Sequence, residues 1–277
     1  MDRDVVFIVG TGRSGSSALT RVLSLCGAAL PKRPLAPNFA NPTGYWEPEL
    51  AVEINDRFLA AHSSSWYDVS PALQLNGVHD PSREAFVAEM TALLSDGFEA
   101  GGPIVVKEPR ISGLLPYWIK AASAAGLRVK IVHNFRRPDD VAASLAHRDG
   151  IPPEHSDALW LKYNLISERD ARAFPRVFVA YEDLMNDWRR VATDCIARLG
   201  LRLTISDVTA SGVDEFLSRD LQHHASPGDR PVAGGEGLIA RTYDLLNAAK
   251  HGDAAPAAFD AILAEYVAAN QALGPPV

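Results

Sequence analysis

The sequence predicts an α/β fold in which a central parallel sheet is flanked by helices on both faces. Four short apolar runs, rich in β-branched residues, are spaced along the first two thirds of the chain: Val5 to Val9, Ile104 to Val106, Val129 to Phe135 and Val177 to Ala180. Stretches of helical periodicity separate them, the alternation that builds a parallel sheet with right-handed crossovers. Each run also ends on glycine or charged residues, at Gly10 to Ser17, Lys107 to Arg110, Arg136 to Pro138 and Tyr181 to Asp183. Sites in such sheets collect at the carboxyl ends of the strands.

The first strand leads into Gly10-Thr11-Gly12-Arg13-Ser14-Gly15-Ser16-Ser17. Leu19, Val22, Leu23 and Cys26 then recur at helical spacing, so a helix begins near Ser16 and stops at Gly27. Strand, glycine turn and helix together make an anion cradle of backbone N–H groups at a positive helix end. The predicted fold is therefore three-layered and P-loop-like. Gly10-x4-Gly15 matches the nucleotide P-loop spacing, but Ser16 stands where that pattern has lysine. Without the lysine, and with Arg13 placed earlier, the loop suits a 5'-phosphate carrying a short acidic group better than a triphosphate with metal.

The remaining elements follow in order. Residues 31–48 and 63–81 are irregular loops rich in Pro, Asn, Gly and Ser, and they carry Trp46, Trp66 and Tyr67. Helices are expected from about Leu50 to Ala61, from an N-cap at Ser82, over Leu114 to Ala125, from Pro138 to about His147, over Asp157 to Ala173, and from an Asp187 cap to Leu199. The last quarter is less patterned, with helical stretches at Leu238 to Ala249 and Ala257 to Ala272. No repeat or long linker divides the chain, so 1–277 reads as one domain.

A net charge of -7 argues against a nucleic-acid binder. No apolar run approaches the length of a membrane span and no leader is visible, so a cytoplasmic protein without membrane insertion is expected. Cys26 and Cys195 read as buried free thiols. His223-His224 lacks partners at metal spacing, and no metal is expected. Arg230, in a Gly-rich loop, has no assigned role.

A second candidate anion site is Arg136-x-Pro138-x5-Ser144. An arginine at a strand end and a serine two turns into the next helix can converge on one phosphate. Taken alone, a surface arginine pair beside a helical serine is an equal reading.

The two elements together resemble the phosphate-binding motifs of sulfotransferases that use 3'-phosphoadenosine-5'-phosphosulfate (PAPS). The resemblance extends to Asn41–Glu47, Lys107–Arg110 and Tyr181–Leu184, over roughly the first 200 residues, and is closest to the bacterial and carbohydrate-type branches. It implies PAPS as co-substrate and a hydroxyl-bearing acceptor such as a carbohydrate, glycolipid or small alcohol. By this resemblance Gly12, Arg13, Ser14, Gly15, Ser16 and Ser17 hold the 5'-phosphosulfate, and Arg136 and Ser144 the 3'-phosphate. Tyr181 contacts adenine, or else ends its strand as a core residue. Lys107 stabilises the transferring group, the alternative being a salt bridge to Glu108 or another acid. Arg13 shares that catalytic role.

The histidine base of the cytosolic branch is absent, because Pro109 occupies its place. Glu47, in Gly44-Tyr45-Trp46-Glu47, matches the loop carboxylate of other branches. A carboxylate beside two aromatic rings and a proline suits a general base; the alternative is an acid opening the next helix. A P-loop small-molecule kinase and a non-catalytic nucleotide-binding protein are the competing functions. The loops 31–48 and 63–81 are expected to form the acceptor side.

Overall fold

The computed structural model describes residues 3–38, 44–221 and 237–272. The four apolar runs form β1 (Asp4–Val9), β2 (Ile104–Lys107), β3 (Arg128–Phe135) and β4 (Arg176–Ala180). They pair in parallel in the order β2-β1-β3-β4, which confirms the expected α/β class. Ile8 lies opposite Lys107 on one side and Val132 on the other. The chain reverses direction across the sheet at β1, the switch in strand order beside which open α/β sheets bind ligands at the carboxyl ends of the strands.

Alternation along β1 sorts its side chains between two cores. Val5, Phe7 and Val9 pack with α2 (Glu49–Ala61), α4 (Ser82–Asp96) and α5 (Ile111–Ala124) through Ile54, Phe58, Met90 and Trp118. Val6 and Ile8 face α1 (Ser16–Leu25), α9 (Trp188–Leu199) and α10 (Asp207–Leu221) through Leu19, Val22, Trp188 and Val213. Cys26 and Cys195 are buried free thiols in this second core. A third cluster joins Phe135 and Ala180 to α6 (Pro138–Asp149), α7 (Pro153–Ala171), α11 (Leu238–His251) and α12 (Pro256–Ala272).

Local signals set most helix ends. The Asp187 side chain accepts from Arg190 N at 3.1 Å, capping α9 as expected, and Gly200 ends it at φ 63°. α6 begins on Pro138, carries Asp139 and Asp140 in its first turn and His147 and Arg148 in its last, and stops at Gly150. That polarity complements the helix dipole.

Several boundaries differ from expectation. Ser82 is not the cap of α4 but its first residue; Pro81 is the cap position and makes no side-chain cap bond, while Asp80 Oδ1 accepts from Ser82 N at 2.8 Å in the turn before the helix. α5 starts three residues before Leu114. The N–H groups of Ile111, Ser112 and Gly113 bond back to Glu108, Pro109 and Arg110, so a tight turn feeds the helix directly. α7 starts at Pro153 rather than Asp157, because Pro suits a first turn. The segment expected to be irregular over 63–81 contains a short helix, α3 (Ala72–Asn76), closed by Gly77 at φ 69°. The remaining short helix, α8 (Tyr181–Asn186), follows β4 directly. Among the described residues no helix is long and apolar enough to cross a membrane. His223, His224, Arg230 and the Asn41 end of the Asn41–Glu47 motif lie outside the described residues.

Candidate active site

The glycine loop is built by close approach. Gly10 has φ +127°, and a Cβ there would lie 2.0 Å from the Asn134 carbonyl oxygen of β3. Only glycine fits. Ser112, at the start of α5, accepts from Gly10 N at 2.8 Å and donates to Gly10 O at 2.7 Å. Thr11 Oγ1 accepts from Asn164 Nδ2 at 3.1 Å, which ties the loop to α7. Gly15, at φ +80°, meets the Tyr181 ring: a Cβ would stand 2.0 Å from Tyr181 Cδ2. Arg13 takes a left-handed φ of 69°, a conformation that costs a non-glycine residue about 1 kcal/mol or more.

That strained residue links the two candidate anion elements. Arg13 Nε donates to Ser144 Oγ at 2.9 Å. Residues expected to hold different phosphates thus share one hydrogen bond. The Arg136 guanidinium lies 4.5 Å from the centre of the Tyr181 ring and is 6 % exposed. Its backbone carbonyl accepts from Trp160 Nε1 at 3.0 Å, and Arg137 N donates to Glu182 at 3.1 Å. Burial lowers the Arg13 pKa, and the charges of Arg148 and Arg136 lower it further against the pull of Tyr45 and Asp149. Ser14 Oγ and Arg136 Nε are buried without a hydrogen-bond partner. Arg136 Nε does stand 3.7 Å from Asp140 Oδ2, an ion pair without a hydrogen bond. Buried donors that lack a hydrogen bond, beside clustered guanidiniums, suit phosphate oxygens, so these residues fit an anionic group.

Across the β1–β2 edge, Lys107 Nζ meets Glu47 Oε1 at 2.5 Å, with both residues buried. Lys107 therefore makes the salt bridge given as the alternative to its catalytic role, and its partner is the candidate base Glu47 rather than Glu108. Glu47 does not open α2; Glu49 lies in that first turn instead. The Tyr45 carbonyl accepts from Lys107 Nζ at 3.3 Å and from Ser17 Oγ at 3.4 Å, joining this pair to the start of α1. The preceding backbone is twisted, with Gly44 at φ 102° and Trp46 at φ 59°. Arg21 covers the Trp46 ring at 4.7 Å.

Glu108 is fully enclosed, and sequence reasoning gave it no role beyond a possible partner for Lys107. Burial pushes its carboxyl up to about 7, with Arg110 opposing and the Glu47 charge adding. Asn55 Nδ2 donates to it at 2.5 Å, Arg110 pairs with it, and Asp56 in turn holds Arg110 at 2.5 Å. This network fixes the turn that follows Lys107 at the end of β2.

The segment around Trp66 and Tyr67 is held through four consecutive carbonyls. Tyr163 OH donates to Trp66 O at 2.5 Å, and His155 Nε2 lies 2.7 Å from Tyr67 O. Lys162 Nζ donates to Asp68 O at 2.6 Å, and Tyr266 OH to Val69 O at 2.5 Å. Burial lowers the Lys162 pKa to about 8.

Gly12, Arg13, Ser14, Gly15, Ser16 and Ser17 thus gather with Arg136, Ser144 and Tyr181, and Glu47 pairs with Lys107 one strand away. Tyr181 is 6 % exposed and packed against Gly15. Ser112, Asn164 and Glu108 were not singled out, because a buried polar residue inside a helix or after a strand carries no local pattern. Among the described residues no three His, Cys, Asp or Glu side chains group as a metal site.

No family model and no curated protein matches this sequence. Solved structures do match. One is the sulfotransferase domain of a Synechococcus olefin synthase, at 17% identity over 89% of this chain and 95% of that chain, with a TM-score of 0.46. Another is the sulfotransferase STF9 of Mycobacterium avium, at 14% identity over 97% of this chain and 76% of that chain, TM-score 0.48. A mouse sulfotransferase complexed with PAP matches at 13% identity over 96% of this chain and 85% of that chain, TM-score 0.43. All three are sulfotransferases.

Proposed function

We propose that this chain transfers a sulfuryl group from PAPS to an acceptor hydroxyl, with Glu47 as general base. The observation that carries the reading is the Arg13–Ser144 hydrogen bond at 2.9 Å. It brings the anion loop after β1 and the Arg136 element after β3 onto one cluster, as a nucleotide with two separated phosphates requires. A loop built for a triphosphate has no use for the second element.

In this reading the loop N–H groups, the Ser14 to Ser17 hydroxyls and Arg13 bind the 5'-phosphosulfate, and Arg136 and Ser144 bind the 3'-phosphate. Tyr181 borders the adenine. Bound there, PAPS supplies the activated sulfuryl group. Glu47 takes the hydroxyl proton as the acceptor oxygen bonds to sulfur and the sulfur–phosphate oxygen bond breaks. Lys107 orients the Glu47 carboxylate and, with Arg13, offsets charge on the transferring oxygens and the departing phosphate. Residues 1–277 act as one unit, and the loops 31–48 and 63–81 border the acceptor.

A thermal-shift titration tests the donor class. Adenosine 3',5'-bisphosphate at 100 times its Kd is expected to stabilise the fold by about 2.7 kcal/mol, a shift of roughly 5 °C or more. ADP and ATP are expected to give little. An ATP shift equal to or larger than that of the bisphosphate would overturn the reading in favour of a kinase.

A further inference from the structure

Arg148 is a charged residue beside the anion cluster that the proposed reaction leaves unused. It stands one turn beyond Ser144 on α6, so the two side chains share a helix face. Its guanidinium lies 5.7 Å from the centre of the Trp66 ring. Its Nε donates to Oδ2 of Asp149, its neighbour in sequence, at 2.7 Å, and its Nη2 stands 2.6 Å from the same oxygen. A partly exposed pair between adjacent residues contributes little and yields readily to a better-placed anion.

Trp66 meets Tyr67 edge-on, with ring centres 5.5 Å apart at 83°. Tyr67 is 53% exposed. The four carbonyl contacts from Tyr163, His155, Lys162 and Tyr266 hold this aromatic corner in place. The corner also borders the anion cluster, because Arg148 stands one turn from Ser144 on α6, and Ser144 Oγ accepts from Arg13 Nε at 2.9 Å.

We propose that Arg148, Trp66 and Tyr67 form an acceptor subsite for a ring-bearing molecule that carries a carboxylate. The inference rests on the sulfuryl-transfer reading. Aromatic faces offer a stacking surface to a sugar or aryl ring, and the planar guanidinium offers a two-pronged match to a carboxylate. The chain carries a net charge of -7, so an anionic acceptor gains nothing from the overall field and must be recognised by a local cation.

Calorimetry on protein loaded with adenosine 3',5'-bisphosphate tests this, with 4-nitrophenyl β-D-glucuronide and 4-nitrophenyl β-D-glucoside as probes. The glucuronide is expected to bind about 10-fold tighter or more. Arg148→Met should cut that preference to below about threefold, and Arg148→Lys should restore part of it. Equal binding of the two sugars by the wild type, or no binding of either, overturns the proposal. So does an Arg148→Met variant that keeps the preference but loses bisphosphate affinity, which would place Arg148 on the donor. Failure of the wild type to bind the bisphosphate at all would instead overturn the parent reading.

Discussion

Lys107 and Glu47 meet at 2.5 Å with their side chains 4% and 7% exposed. Water cannot take the place of either partner. Lys107→Met strands the Glu47 carboxylate in this dry site, and a stranded buried charge costs about 3–5 kcal/mol. Glu47→Gln is milder. The amide oxygen and the Tyr45 carbonyl, 3.3 Å from Nζ, still accept from the ammonium, so the expected cost is about 2 kcal/mol. The double variant leaves no net charge to strand. It should therefore be at least about 2 kcal/mol more stable than the two single effects predict by addition.

Urea unfolding of the four proteins, followed by tryptophan fluorescence and far-UV circular dichroism, measures this cycle. Additivity within about 0.5 kcal/mol would refute the buried pairing. Turnover should not follow stability. Glu47→Gln is expected to keep bisphosphate binding and to lose roughly 100-fold or more in kcat. The double variant should regain none of it, since it lacks both the proposed base and the proposed cation. A double variant as active as the wild type would show the pair to be structural only.

Two further outcomes are expected. Ser112→Ala removes the one oxygen that satisfies both Gly10 N and Gly10 O; it should cost about 2–3 kcal/mol in urea unfolding, and a loss under about 0.5 kcal/mol would deny Ser112 that role. Lys162 has its folded pKa lowered to about 8 from 10.5, so between these values the unfolded chain binds more protons and stability rises with pH. The gain is on the order of 3 kcal/mol if carried to completion, and most of it should fall between pH 8 and 10. Lys162→Met should remove that rise, whereas equal slopes for variant and wild type would contradict the burial of a charged Lys162.

The fold was legible where the pattern is local. β1 and the helix behind Gly10 to Ser17 appear where β-branched residues and the Leu19, Val22, Leu23 spacing place them. Asp187 caps α9 because a cap bond spans only three residues. Local rules failed where two of them competed. Ser82 is a capping type, but Asp80 draws its N–H into a turn and Pro81 takes the cap position, so α4 starts on Ser82 itself. α5 begins at Ile111 because consecutive tight bonds after β2 carry the turn into the helix.

For the candidate site, the sequence by itself determined which residues stand at the strand ends and which glycines the loop after β1 needs, since both follow from short-range geometry. Gly10 and Gly15 are required by backbone angles of +127° and +80°, and their spacing is visible in the chain. Only the tertiary structure decided the partners. Glu47 reaches Lys107 across 60 residues, and Arg13 reaches Ser144 across 131. The packing of α6 and of the 44–48 backbone against the sheet aims those side chains, and no local pattern encodes that aim. The same packing chose Glu47 rather than the adjacent Glu108 as the buried partner of Lys107. It also set Arg148 against Trp66, a contact across 82 residues that no local pattern encodes.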